Sequence, residues 1–170
     1  PTGLSFSLEE IEQILKTNPD HLVMIDEAYV DFGGTTCIPL LKQYSNLMVI
    51  QTFSKSRSLA GARLGFAISS PEIIQDLNKI KFSYNPYNVN RLSILAGSAA
   101  MQDRLYWEYC TNEVIQTRNK TKCALEQLGF TVLDSKTNFL FARCPKISGE
   151  DYYSKLKQNG ILVRHFDQER

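Results

Sequence analysis

Lys55 stands in residues 52–66, TFSKSRSLAGARLGF, among small and hydroxyl side chains. The apolar run LMVI at 47–50 precedes it, and Arg63 follows eight residues later. Such a run reads as a buried strand, and in an open α/β sheet ligands bind at strand ends. An amine at that place can act as a Schiff-base nucleophile, because desolvation and neighbouring cations favour its neutral form. Ser54 and Arg63 supply a hydroxyl and a forked cation, which suit an anionic phosphate. The same residues, with Arg57, also read as a solvated basic turn.

A second stretch carries complementary groups. Residues 21–32 are HLVMIDEAYVDF, where four apolar residues lead into Asp26 and Tyr29 follows three later. Pyridoxal phosphate needs an acid against its pyridine nitrogen and a donor against its phenolic oxygen. It also needs an amine for its aldehyde and donors for its phosphate. Asp26, Tyr29, Lys55, and Ser54 with Arg63 meet those needs. Asp26-Glu27 after an apolar run also matches the acidic strand end of a P-loop ATPase, but no GxxxxGK[ST] motif is present in these 170 residues. A plain structural Asp26 is the other alternative.

These groups need a scaffold, and the pattern supplies one. Ser7-Leu8-Glu9-Glu10 forms a capping box, followed by Leu8, Ile11, Ile14 and Leu15 on one helical face, with Asn18-Pro19-Asp20 as the stop. Residues 22–26 predict a strand buried on both faces, 39–44 a short helix, 47–51 and 64–68 two more strands. That succession indicates a doubly wound α/β layer. Ser70-Pro71-Glu72 opens a helix with Ile73, Ile74, Leu77 and Ile80 inward. Residues 81–90 read as a polar, aromatic connector. A helix at 92–101 contains Ala96, Gly97, Ala99 and Ala100, which permit close packing. A long helix spans 103–128, with Gly129 closing it. Strands are expected at 131–133, 138–142 and 161–165, and a helix at 148–158, together a small α+β lobe.

DEAY, then a strand, then SK with an arginine eight residues on, resembles the fold type I pyridoxal-phosphate-dependent aminotransferases of class I and II. YNPYNVNRLS at 84–93, NFLFAR at 138–143 and GILVR at 160–164 are similar to their histidinol-phosphate branch, and Pro1-Thr2-Gly3 resembles the end of the family's NPNNPTG turn. The resemblance runs over essentially the whole chain. It implies an α/β, aspartate-aminotransferase-like fold. Residues 1–102 would be part of the large cofactor-binding domain, 103–129 a connecting helix and 130–170 part of a small C-terminal domain.

It further implies pyridoxal phosphate as cofactor, an amino donor and a 2-oxo acid as substrates, a homodimer and a cytoplasmic location. Lys55 would hold the aldehyde and move the proton. Asp26 would keep the pyridine nitrogen protonated, Tyr29 would donate to the phenolic oxygen, and Ser54 and Arg63 would bind the phosphate. Arg164 would read the substrate's phosphate or carboxylate, with Asn138 and Arg143 also on the substrate side. Surface or structural roles are open for these last three residues. The implied reaction converts histidinol phosphate and 2-oxoglutarate into imidazole-acetol phosphate and glutamate. A phospho-amino-acid decarboxylase, an aromatic aminotransferase and a non-catalytic binding or oligomerising fragment are the alternatives. The family's cofactor-stacking aromatic, further phosphate donors and an Asn partner of the phenolic oxygen are expected before Pro1. A second substrate arginine is expected beyond Arg170. On that reading the chain is a piece of a longer protein and inactive by itself.

The composition is that of an ordinary soluble globular protein. Hydrophobic residues make up 43% and charged residues 22%, enough apolar material for a core. A net charge of +1 gives no electrostatic case for nucleic acid or an anionic membrane. Cys37, Cys110, Cys123 and Cys144 show no metal-ligand or CxxC spacing. No metal site, disulfide or spanning segment is therefore expected.

Overall fold

Ser7 starts the first helix as its residue type dictates. Its hydroxyl accepts from the Glu10 N–H at 3.2 Å, and the Glu10 carboxylate accepts from the Ser7 N–H at 2.7 Å. Helix α1 (Leu8–Thr17) then buries Ile11 and Leu15 and ends at Asn18. A computed structural model describes residues 2–166 of the chain. Pro1, the first residue of the turn motif, lies outside the described residues.

Strand β1 (Val23–Asp26) follows, then 3₁₀ turns at Val30–Phe32 and Ile38–Lys42, then β2 (Leu47–Thr52) and β3 (Gly65–Ser69). The sheet order is β1-β2-β3, with β1 parallel to β2 and β3 antiparallel to it. Leu47, Met48 and Val49 are all buried, so central β2 is covered on both faces. The core beneath it joins Ile11, Leu15, Cys37, Leu47 and Val49, with Val23 and Ile25 packed against them.

One expectation fails here. β1 is not buried on both faces: Val23 and Ile25 turn to the core, while Met24 is 55% exposed. The strand lies at the sheet edge, and α1 covers one face alone. β3 runs antiparallel because residues 53–64 return as a wide loop instead of a crossover helix. The Phe53 N–H donates to the Leu64 carbonyl at 3.1 Å, which closes that loop at its base.

Helix α2 (Pro71–Tyr84) extends into the predicted connector. Ile73 and Ile74 are half-buried, whereas Leu77 and Ile80 are exposed, against expectation. Helix α3 (Arg91–Gln102) starts at Asn90, whose side chain accepts from the Ser93 N–H at 2.9 Å. Gly97 on α3 lies against Leu64 and Phe53, so the small residue brings the helix onto the Lys55 loop. Helix α4 (Arg104–Gln127) is long, as predicted, and Gly129 follows it at φ +89°.

The segment after α4 is less regular than expected. Only β4 (Thr131–Val132) and β5 (Ala142–Arg143) pair, antiparallel, before α5 (Gly149–Gln158). Residues 138–140 do not join the ladder, although the Phe141 carbonyl still accepts from the Leu133 N–H at 3.1 Å. The Ser135 and Thr137 hydroxyls both donate to the Phe139 carbonyl, at 2.6 and 3.2 Å, and such local side-chain bonds compete with strand pairing. Residues 161–165 form no strand among the described residues. No helix among them is long and apolar enough to cross a membrane.

Cys37 gives a direct check on this packing. It is fully buried, and burial first, the adjacent Glu27 second, push its thiol up to about 12 from an ordinary value of 9.0. A raised thiol favours the folded state fully below pH 9, and that contribution is lost as pH climbs toward 12. Alkylation with iodoacetamide at pH 8, read by mass spectrometry, should leave Cys37 unlabelled until denaturant is added.

Candidate active site

Parallel pairing of β1 with β2 sets Asp26 opposite Ile50, so both strands finish at the same sheet edge. The Glu27 N–H continues the pairing by donating to the Ile50 carbonyl at 2.8 Å. Asp26 and Glu27 then diverge. Asp26 is exposed, and its Oδ1 accepts from the Ala28 N–H at 2.9 Å, which bends the chain there. Glu27 is buried and accepts from Thr36 Oγ1 at 2.7 Å, the Cys37 N–H at 2.6 Å and Gln51 Nε2 at 2.8 Å. Its bonding capacity is spent inside the fold, so the acidic pair offers one carboxylate outward.

Tyr29 ends that turn and is half-buried. Its ring meets Phe139 edge-on, with centres 5.5 Å apart. Lys55 comes from the β2 side and is exposed, with Nζ 5.2 Å from the centre of the Tyr29 ring. No ion pair to Lys55 occurs among the described residues, so the amine meets a π face and not a carboxylate. Ser54 is half-buried; its N–H donates to Thr52 Oγ1 at 3.1 Å, and its Oγ accepts from the same hydroxyl at 3.1 Å.

Arg63 is exposed, with one N–H bonded to the Ala60 carbonyl at 3.0 Å. It adopts φ +52°, and Ser58 in the same loop adopts +56°. Left-handed backbone at residues with a Cβ costs about 1–2 kcal/mol each, so neighbouring contacts must hold this loop. Arg57, the other cation of the loop, lies 4.4 Å from the Trp107 ring centre and donates to the Ala100 carbonyl at 3.1 Å. Arg57 is thus committed to packing.

The remaining predicted residues lie after α4 in the chain. Asn138 is exposed and precedes Phe139, the partner of Tyr29. Arg143 is exposed in β5, opposite Thr131. Arg164 is exposed, its guanidinium 5.7 Å from the Phe166 ring, which itself lies 6.1 Å from Phe141. The structure brings Asp26, Tyr29, Ser54 and Lys55 to one sheet edge. Arg143 pairs with Thr131 and Arg164 meets Phe166, so both contact residues that follow α4. A groove of about 330 Å³ lies elsewhere, between Asp31, Gly33, Thr36, Gln51 and Trp107, and none of Asp26, Lys55 or Arg63 lines it.

Sequence reasoning also missed a supporting arginine. Arg118, on α4, is buried, and its Nη1 donates to the Phe32 and Thr137 carbonyls, both at 2.8 Å. Burial lowers the guanidinium's pKa, yet a group so basic stays charged. One side chain therefore fastens the turn after Tyr29 to the residue before Asn138. An arginine inside a polar helix carries no local pattern that would have marked it.

The donor set fits pyridoxal phosphate. Among the described residues Oδ2 of Asp26 accepts no hydrogen bond, Lys55 has no acidic partner, and Arg63 spends a single N–H on its own loop. The chain matches the family described as aminotransferase class I and II over residues 1–170. It belongs to that family. Among curated class I and II relatives, the histidinol-phosphate aminotransferase of Brachyspira hyodysenteriae is 54% identical over 98% of this chain and 47% of its own length. That of Chromohalobacter salexigens is 49% identical over 99% of this chain and 48% of its own length. The crystal structure of histidinol-phosphate aminotransferase from Sinorhizobium meliloti in complex with pyridoxal-5′-phosphate superposes with a TM-score of 0.85. It is 27% identical and covers 96% of this chain and 46% of that one. The fold is therefore that of the class I and II aminotransferases, and the chain spans about half the length of the curated relatives it matches.

Arg118 can be tested directly. Its removal leaves two buried carbonyls without a donor, at about 1–3 kcal/mol each. Arg118→Ala should lower unfolding free energy by roughly 2–5 kcal/mol in denaturant titrations of the full-length protein. Arg118→Lys, which keeps a charge and donors, should lose less than half of that.

Proposed function

We propose that this chain carries the cofactor-holding and part of the substrate-binding machinery of a histidinol-phosphate aminotransferase. The full protein would convert histidinol phosphate and 2-oxoglutarate into imidazole-acetol phosphate and glutamate. The observation that carries this reading is the amine of Lys55 over the Tyr29 ring, with Asp26 ending the strand that runs parallel to the one leading into Lys55. Near 50% identity to histidinol-phosphate aminotransferases over almost the whole chain supports the substrate assignment.

Pyridoxal phosphate, when bound, supplies an electron sink for the substrate carbanion. The chain's residues do the rest. Asp26 uses its outward carboxylate to hold a proton on the pyridine nitrogen. Tyr29 donates its phenol to the ring oxygen. Lys55 would hold the aldehyde and supply the general base and acid that move the substrate proton. Ser54 and Arg63 bind the cofactor phosphate as hydroxyl and guanidinium donors. Arg164 reads the substrate phosphate, and Asn138 with Arg143 orients the substrate side. In this reading 1–102 belongs to a large domain, 103–129 connects, and 130–170 belongs to a small one. The protein acts as a cytoplasmic homodimer.

Borohydride reduction of the full-length protein after loading with pyridoxal phosphate should place the pyridoxyl adduct on Lys55 by peptide mapping. An adduct on Lys42 or Lys81 would remove Lys55 from its role. Arg164→Lys should raise the Michaelis constant for histidinol phosphate about 10–150-fold, since a charge-assisted contact is worth ~1.5–3 kcal/mol. An uncharged aromatic amine donor should be little affected. Turnover of an aromatic amino acid without any turnover of histidinol phosphate would favour the aromatic branch instead.

A further inference from the structure

The loop that carries Lys55 is fastened through the residue next to it. Ser56 is buried at 7% exposure, and its hydroxyl donates to Oδ2 of Asp31. The same carboxylate oxygen accepts from the indole N–H of Trp107, on α4, at 3.3 Å. Asp31 sits in the 3₁₀ turn Val30–Phe32, which Tyr29 opens. One oxygen thus connects three parts: the turn bearing Tyr29, the loop bearing Lys55, and the helix behind both. Arg57 completes the fastening by stacking on Trp107. Ser58 and Arg63, both left-handed with a Cβ, show that the loop is held away from its own preference.

We infer that Asp31 is a positioning residue, acting through Ser56 to hold the Lys55 backbone at a fixed place relative to Tyr29. The inference rests on the reading of Lys55 as the cofactor's amine. Asp31 and Ser56 need not touch cofactor or substrate. Their pairing restricts where the lysine stem begins, and the stem's reach then sets the amine over the Tyr29 ring. The interaction is charge-assisted and half-sheltered from water, so its loss should be felt as misplacement of the amine.

The test uses the full-length apoprotein, pyridoxal phosphate and histidinol phosphate. Capture of the aldehyde is followed by absorbance, and turnover is followed separately. Ser56→Ala and Asp31→Ala should each slow capture about tenfold and lower kcat about tenfold, as loss of one charge-assisted bond would. KM for histidinol phosphate should stay within about twofold of wild type. The double variant should be no slower than either single one, because both remove the same contact. Asp31→Asn retains an acceptor oxygen and should recover capture to within about threefold of wild type.

Unchanged capture in Ser56→Ala, losses that multiply in the double variant, or no recovery in Asp31→Asn would each overturn the inference. If Asp31→Ala fails to fold, Ser56→Ala and Asp31→Asn decide it. A wild type that captures no aldehyde, or a Lys55→Ala variant that captures it normally, would overturn the Lys55 reading and this inference together. A failure confined to the Asp31 and Ser56 variants leaves the Lys55 reading standing.

Discussion

The parallel pairing of β1 with β2 is the constraint on which the rest depends. Two strands that run the same way must end at the same edge, and whatever follows each is delivered to one place. Asp26 follows from one and Lys55 from the other, although 29 positions separate them. Burial of Leu47, Met48 and Val49 holds β2 in the centre, and the core around Ile11 and Leu15 holds β1 beside it. The chemistry therefore inherits its geometry from apolar packing that lies well below it.

Above that edge the packing is mostly polar. Loops cannot bury their backbone against apolar layers, so side chains and caps satisfy it instead. Glu27 collects three donors, Arg118 serves two carbonyls, and Ser135 with Thr137 holds the Phe139 carbonyl. Each of these contacts stiffens a segment adjoining a candidate site residue. The arrangement leaves the outward groups of Asp26, Lys55 and Arg63 available.

Much of this was legible in the residues. The capping box at Ser7, the apolar run feeding Lys55, the long helix closed by Gly129 and the DEAY turn all have local signatures, and each lies where its pattern points. Three features were not legible. The exposed face of β1 depends on its place at the sheet edge, which an apolar run does not encode. The shortened β5 reflects competition by Ser135 and Thr137 hydroxyls, a contest between local bonds that periodicity does not register. Asp31, Ser56 and Arg118 work through partners 19 to 86 positions away, so nothing in their own neighbourhoods announces them.

Trp107 and Arg118 both sit on α4, eleven positions apart. Eleven residues make three turns with about 20° left over, so the two side chains leave the helix in nearly the same direction, roughly 16 Å apart along its axis. One reaches Asp31 and the other reaches the Phe32 and Thr137 carbonyls. The stretch between them thus works as a ruler with a fixed phase. Adding or deleting one residue there would swing one end by about 100°, whereas the same change after Arg118 would leave both marks aligned. Length variation among homologous chains should accordingly avoid the interval and gather beyond it.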